Sequence, residues 1–95
     1  MTKVKWTQAA TEDLAQATED LFLVDHDMAD RLLVEADRAN DFLMLTPHAG
    51  SSVDAQGTRK WRLGQLPFAL LYNVNAERLL VTRLIHLRSD WQTLL

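Results

Sequence analysis

Residues 58–87, TRKWRLGQLPFALLYNVNAERLLVTRLIHL, decide the fold. Apolar side chains recur here at every second position, the period of a half-buried strand. Thr58 to Leu63 sets Trp61 and Leu63 on one face and Lys60 and Arg62 on the other. Gly64-Gln65-Leu66-Pro67 turns the chain, and Phe68 to Val74 then alternates Phe68, Leu70, Tyr72 and Val74 against Ala69, Leu71 and Asn73. Asn75-Ala76-Glu77 has the length of a hairpin connection, and Arg78 to Leu87 is the last and longest strand. That last strand is apolar on both faces. Strict alternation puts Leu79, Val81, Ile85 and Leu87 on one side with Arg83, and Leu80 and Leu84 on the other with His86. A single helical layer covers one face of an antiparallel sheet, so the second face is expected to meet a partner or to promote self-association.

Upstream of this stretch the period is helical. Ala10, Leu14, Ala17, Leu21 and Val24 form one stripe over Gln8 to Val24, with Thr7 placed as its N-cap. Asp25-His26-Asp27 breaks the pattern and offers a second N-cap. Met28, Leu32, Ala36, Ala39 and Leu43 then line one face of a second helix. Asp27/Arg31 and Glu35/Arg38 stand at ion-pair spacing on it, and Thr46-Pro47 stops it. Two helices joined by so few residues fold back as a hairpin. Lys3 to Trp6 reads as a short first strand with Val4 and Trp6 on one face, Thr46 to Gly57 as a loop without period, and Ser89 to Leu95 as a terminal helical turn. The expected fold is α+β, in the order β-α-α-β-β-β, with a helical hairpin packed on a small antiparallel sheet and a short C-terminal helical segment. One domain spans residues 1–95.

Composition narrows the chemistry. With no cysteine among 95 residues, the chain has no disulfide scaffold, thiolate metal site or cysteine nucleophile. No apolar run reaches the roughly 20 residues of a membrane helix, and the start lacks a signal-peptide core, so a soluble cytoplasmic protein with no membrane partner is expected. The net charge of −3 is unevenly spread. Residues 1–50 hold ten acids against four bases, and residues 51–95 hold six bases against three acids. The second half could meet an acidic protein or a phosphate backbone, or the split could be no more than a solvated acidic helix pair beside an ordinary sheet.

The three histidines, His26, His48 and His86, have no metal-ligand spacing on one element, and no phosphate-binding glycine loop occurs, so no cofactor is expected. His86, Ser89 and Asp90 are triad residue types, but within five positions a strand end cannot aim them at one another. What remains is Arg59, Lys60, Arg62, Arg83 and His86. A metal-free ribonuclease that uses the 2′-hydroxyl as nucleophile needs an acid, a base and guanidinium groups on the phosphate. Arginines at a solvent edge and a histidine capping a strand end are the plainer account of the same residues.

Taken in order, Gly57-x-Arg59-x-Trp61-x-Leu63-x-x-x-Pro67-Phe68-x-Leu70-x-Tyr72-x-Val74 and Leu80-Val81-x-Arg83-Leu84-Ile85-His86-x-x-x-Asp90-Trp91 resemble the RelE/ParE superfamily of bacterial toxins. Val4-x-Trp6-x-x-x-Ala9-Ala10-x-x-Asp13-Leu14 and Leu45-x-Pro47-x-x-Gly50 agree with it, so nearly the whole chain is covered. The resemblance implies the toxin of a type II toxin–antitoxin pair, of the kind that stabilises plasmids, neutralised by a cognate antitoxin. It also implies one of two activities, since one scaffold carries both. RelE-like members cut messenger RNA in the ribosome, and ParE-like members inhibit DNA gyrase by binding it; a non-toxic interaction module that keeps the fold and the antitoxin contact is the third alternative. The catalytic candidates for RNA cleavage are Arg62, Arg83 and His86, with His48 a stand-in base. Arg59, Lys60, Leu80, Leu84 and Trp91 are the candidates for meeting the target or the antitoxin. His48 to Thr58 has no lysine or arginine, and Trp91 stands where several ribonuclease members carry tyrosine. Pro67-Phe68 and the His86-x-x-x-Asp90 ending look more like the ParE branch.

Overall fold

A computed structural model describes residues 2–95. Its elements run β1 (Lys3–Trp6), α1 (Gln8–Phe22), α2 (His26–Leu45), β2 (Ser51–Ser52), β3 (Arg59–Arg62), β4 (Phe68–Asn75) and β5 (Arg78–His86), ending in a 3₁₀ turn, Trp91–Leu94. Both helix starts are capped as their sequences predict. The Thr7 hydroxyl accepts from Ala10 N–H at 3.1 Å, and the Asp25 carboxylate accepts from Met28 N–H at 3.1 Å. Helix α1 stops at Phe22, two residues before its apolar stripe ends, and leaves Leu23 and Val24 exposed in the connection. Of the two expected helix-surface ion pairs, Glu35–Arg38 forms at 3.0 Å, while Asp27 and Arg31 stay apart.

The sheet order is β1-β5-β4-β3-β2. Strands β3 to β5 pair antiparallel, as expected, β2 adds a further antiparallel edge, and β1 closes the far edge parallel to β5, which makes the sheet mixed. The loop before β3 is less irregular than its sequence suggests. Ser51 and Ser52 pair with Lys60 and Arg59 as an added edge strand, too short to show any period.

The helical hairpin covers one face. Leu32 and Leu43 of α2 are fully buried against Leu63, Leu70, Tyr72, Leu79 and Val81, with Val4, Trp6, Leu14, Leu21 and Trp61 packed around them. The Trp6 indole N–H donates to the Asn40 amide oxygen at 2.9 Å, which supplies a partner for its polar end. Phe42 of α2 stacks on Trp61, centroids 4.9 Å apart.

The last strand departs from strict alternation. Leu71 pairs with Arg83 but Tyr72 pairs with Val81, so Thr82 is an extra residue in β5. Its bulge is tied on three sides. The Thr82 hydroxyl donates to the Leu71 carbonyl, the Thr7 hydroxyl donates to the Thr82 carbonyl, and Thr7 N–H donates to the Val81 carbonyl. Beyond the bulge every side chain changes face. Leu84 therefore joins Leu79 and Val81 under the helices and is buried, rather than standing exposed beside Leu80. Ile85 moves to the other face, where it clusters with Ala69 and Leu71. That second apolar face is covered by the chain itself, through Val53, Leu87 and Trp91. Leu80, 40% exposed, is the part of the strand left open.

Candidate functional site

The basic residues of the sheet do not converge. Each is held by a different neighbour, and the local sequence explains where each one goes. Arg59, beside edge strand β2, reaches back under the preceding loop. Its Nη1 donates to the carbonyls of Gly50 at 2.7 Å and His48 at 3.2 Å. The same loop is anchored from the core, where Gly50 N–H donates to the Tyr72 hydroxyl at 2.8 Å. A Cβ at Gly50 would lie 2.6 Å from that hydroxyl and 2.8 Å from the Lys60 carbonyl, which accounts for the glycine in the motif. Burial pushes the Tyr72 phenol above its ordinary value, and the Gly50 bond and the Arg59 charge oppose that only in part.

Arg62 clamps the turn into β4. Its Nε donates to the Leu66 carbonyl at 3.0 Å and its Nη2 to the Gln65 carbonyl at 3.1 Å. On the face away from the helices, the Lys60 ammonium sits 4.7 Å from the centroid of the Trp91 ring, a cation–π contact that pins the C-terminal turn over Ala69, Leu71 and Ile85.

Arg83 is engaged most completely. Its Nε and Nη2 donate to the two oxygens of Asp13 on α1, at 2.7 and 3.0 Å. One of those oxygens also accepts from Leu84 N–H at 3.1 Å. The strand edge is open here because β1 pairs with β5 only as far as Val81. The hydrogen bond to Asp13 holds the guanidinium above its ordinary value, against a smaller desolvation effect. Asp13 lies 70 positions from Arg83, and no local pattern in the sequence pairs them.

His86 packs edge-on against Phe68, centroids 5.1 Å apart, and its Nδ1 accepts from Arg88 N–H at 3.1 Å. It stands at one rim of a groove of about 480 Å³ between α1 and the start of β4, floored by Leu21, Met28, Phe68 and Leu84. Asp13 and Asp20 form its opposite rim. His86 thus lines the groove, Arg83 reaches it only through Asp13, and Arg59, Lys60 and Arg62 stand elsewhere on the sheet. His48 meets Arg59 only through its backbone carbonyl.

A different basic strip lies at the other edge. Lys3 pairs with Arg78 and Lys5 with Leu80, and in a pleated sheet such in-register partners share a face. Val4 and Trp6 face the core, so these four side chains project from the side away from the helices, and all four are exposed. Among the described residues no group of three histidines or acids gathers as a metal site, and no helix is long and apolar enough to cross a membrane.

The fold is shared with a chain of the solved structure of the chromosomal ParDE TA system from P. aeruginosa. The TM-score is 0.79 over 93% of this chain and 98% of that one, at 20% sequence identity. At that identity the likeness is one of fold, and the fold is the one expected from the superfamily resemblance. No family model and no curated protein matches the chain.

Proposed function

We propose that the chain is the toxin of a type II toxin–antitoxin pair and that it acts by binding DNA gyrase rather than by cutting messenger RNA. The observation that carries the second half is the dispersal of the basic side chains. A phosphoryl-transfer site stabilises the transition state with guanidinium groups free to meet the phosphate. Here Arg59 and Arg62 hold backbone carbonyls, Lys60 lies on an indole, and Arg83 is closed on a carboxylate. Recruiting Arg83 to a phosphate would break two charged hydrogen bonds and leave the partly buried Asp13 carboxylate without its cation. The shared fold with a ParDE chain supports the first half.

The antitoxin reading is supported by the strip formed by Lys3, Lys5, Arg78 and Leu80. An acidic amphipathic tail laid along β1 would meet three cations and one exposed leucine. This replaces the expectation that Leu80 and Leu84 form the contact together, since Leu84 is in the core.

The test uses the purified chain in two assays. Inhibition of gyrase supercoiling, with ribosome-bound messenger RNA left intact, is the expected result. Cleavage of that RNA, abolished by His86→Ala, would overturn the gyrase reading and return Arg83 and His86 to catalytic roles. Loss of antitoxin binding in Lys5→Glu, but not in Lys60→Glu, is expected for the β1 strip.

A further inference from the structure

We propose that the outer groove between α1 and α2 is a docking site for a lysine- or arginine-bearing amphipathic helix of another protein, separate from the surfaces assigned above. The groove has an apolar floor and small walls. Leu14 lies at its base, Ala15 and Thr18 leave it open along α1, and Phe22 and Leu33 stand at its sides. A second depression shares Thr11, Leu14 and Leu33 and continues the channel toward Asn40. Phe22 is 50% and Leu33 44% exposed, although both stand on well-formed helices with polar alternatives next to them. The 15 residues of α1 give such a channel a length of about 22 Å, some four turns of a docked helix.

The surrounding charge chooses the occupant. Residues 8–45 carry ten acids and two bases. Glu19 lines one depression and Asp37 the other, and no lysine or arginine lines either. Both basic residues of the hairpin, Arg31 and Arg38, are on α2 outside the channel, and Arg38 is already paired with Glu35. A second copy docked through the same face would bring two acidic hairpins together, and an acidic tail would be repelled. A helix with a leucine face flanked by cations meets both the apolar floor and the carboxylates.

The proposal is tested by fluorescence anisotropy on the full chain, with two synthetic 18-residue helical peptides that share one leucine face and carry either lysine or glutamate flanks. The lysine peptide is expected to bind, and to weaken as salt is raised. Leu33→Asn is expected to weaken it about tenfold, the loss of one good apolar contact. The pair Glu19→Lys and Asp37→Lys is expected to invert the preference toward the glutamate peptide, and Glu77→Lys, in the β4–β5 turn, to change nothing. A thermal melt of each variant confirms that it is folded. Failure of the lysine peptide to bind, equal binding of both peptides, or equal weakening by Glu77→Lys would each overturn the proposal. So would undiminished binding to Leu33→Asn. Gyrase inhibition by the Leu33→Asn variant is expected to be unchanged, which keeps this surface distinct from the toxin reading.

Discussion

Asp13→Ala should destabilise the chain more than Arg83→Ala, and the difference measures how far the Arg83 guanidinium serves the fold. The two side chains form a bidentate pair, but its surroundings are uneven: Arg83 is 36% exposed and Asp13 19%. At that exposure water screens the attraction, so the pair itself is worth about 1 kcal/mol, the upper end for surface pairs because of its fork geometry. Asp13 does a second thing. It is the acceptor for Leu84 N–H at the open edge of β5, where no strand replaces it. Leaving that partly buried donor unpaired costs a further ~1–2 kcal/mol. Urea melts of the two single variants and the double variant should therefore give losses of about 2–3 kcal/mol for Asp13→Ala and about 1 kcal/mol for Arg83→Ala. The double variant should match Asp13→Ala within a few tenths, because Arg83 has no partner once the carboxylate is gone. Purely additive losses would refute the reasoning, since they would mean that the pair does not exist in solution. So would an Arg83→Ala variant of full stability that had lost its activity, which is the behaviour of a free catalytic arginine.

Leu32, fully buried beneath the sheet's inner face, should lose ~2–5 kcal/mol on truncation to alanine, and a loss under half a kilocalorie in a denaturant melt would mean the helix faces are misassigned. Gly50→Ala should cost about 1–3 kcal/mol, because the new methyl displaces either the Tyr72 ring or the backbone of β3; a neutral melt would place the loop elsewhere. Tyr72 has a raised pKa, so its contribution is complete below pH 10, the value of an exposed phenol, and is lost as pH rises through the folded value; Tyr72→Phe should flatten that alkaline decline in a stability–pH profile while costing about 1 kcal/mol at neutrality for the Gly50 N–H it abandons. Asp54 is shifted the other way, chiefly by its bond with Thr58 and helped by Gln56 N–H, so its support of the loop is complete above the ordinary aspartate value of 3.8 and lost as pH falls through the lower folded value; carboxyl-carbon NMR should find it titrating below 3.8.

Most of the fold was legible because its signals are local and redundant. The helices announce themselves by stripe and cap together, Thr7 and Asp25 binding the N–H groups that their positions predict. The turns into β4 and β5 fall where glycine, proline and asparagine gather. Strand β2 escaped because two serines carry no period, and its existence depends on Arg59 and Lys60 being already in place as an edge. The orientation of β1 escaped for a similar reason: four residues can pair either way, and the helical crossover that returns beside them decides it.

The bulge at Thr82 had the largest consequence, and it is of another kind. Strict alternation over Arg78–Leu87 is correct on each side of residue 82 and wrong across it. The one-residue slip exchanges Leu84 with Ile85, which removes the exposed leucine pair that seemed to require a partner and supplies the layer that Trp91 covers. Arg83 lies at the open edge of β5, where its guanidinium closes on Asp13. The composition of the candidate cluster was therefore readable and its geometry was not. Arg59, Lys60, Arg62, Arg83 and His86 look like a nuclease inventory when written in a line, and in the fold the fourth of them closes on a carboxylate 70 positions away. A strand without the inserted threonine would run Val81 straight into Arg83 and keep Tyr72 opposite Val81 and Leu71 opposite Arg83. Deleting Thr82 is thus a different perturbation from mutating Arg83: it is expected to leave Leu84 in the core and Ile85 on the far face, and to remove the hydroxyl and carbonyl that tie the bulge to Leu71 and Thr7.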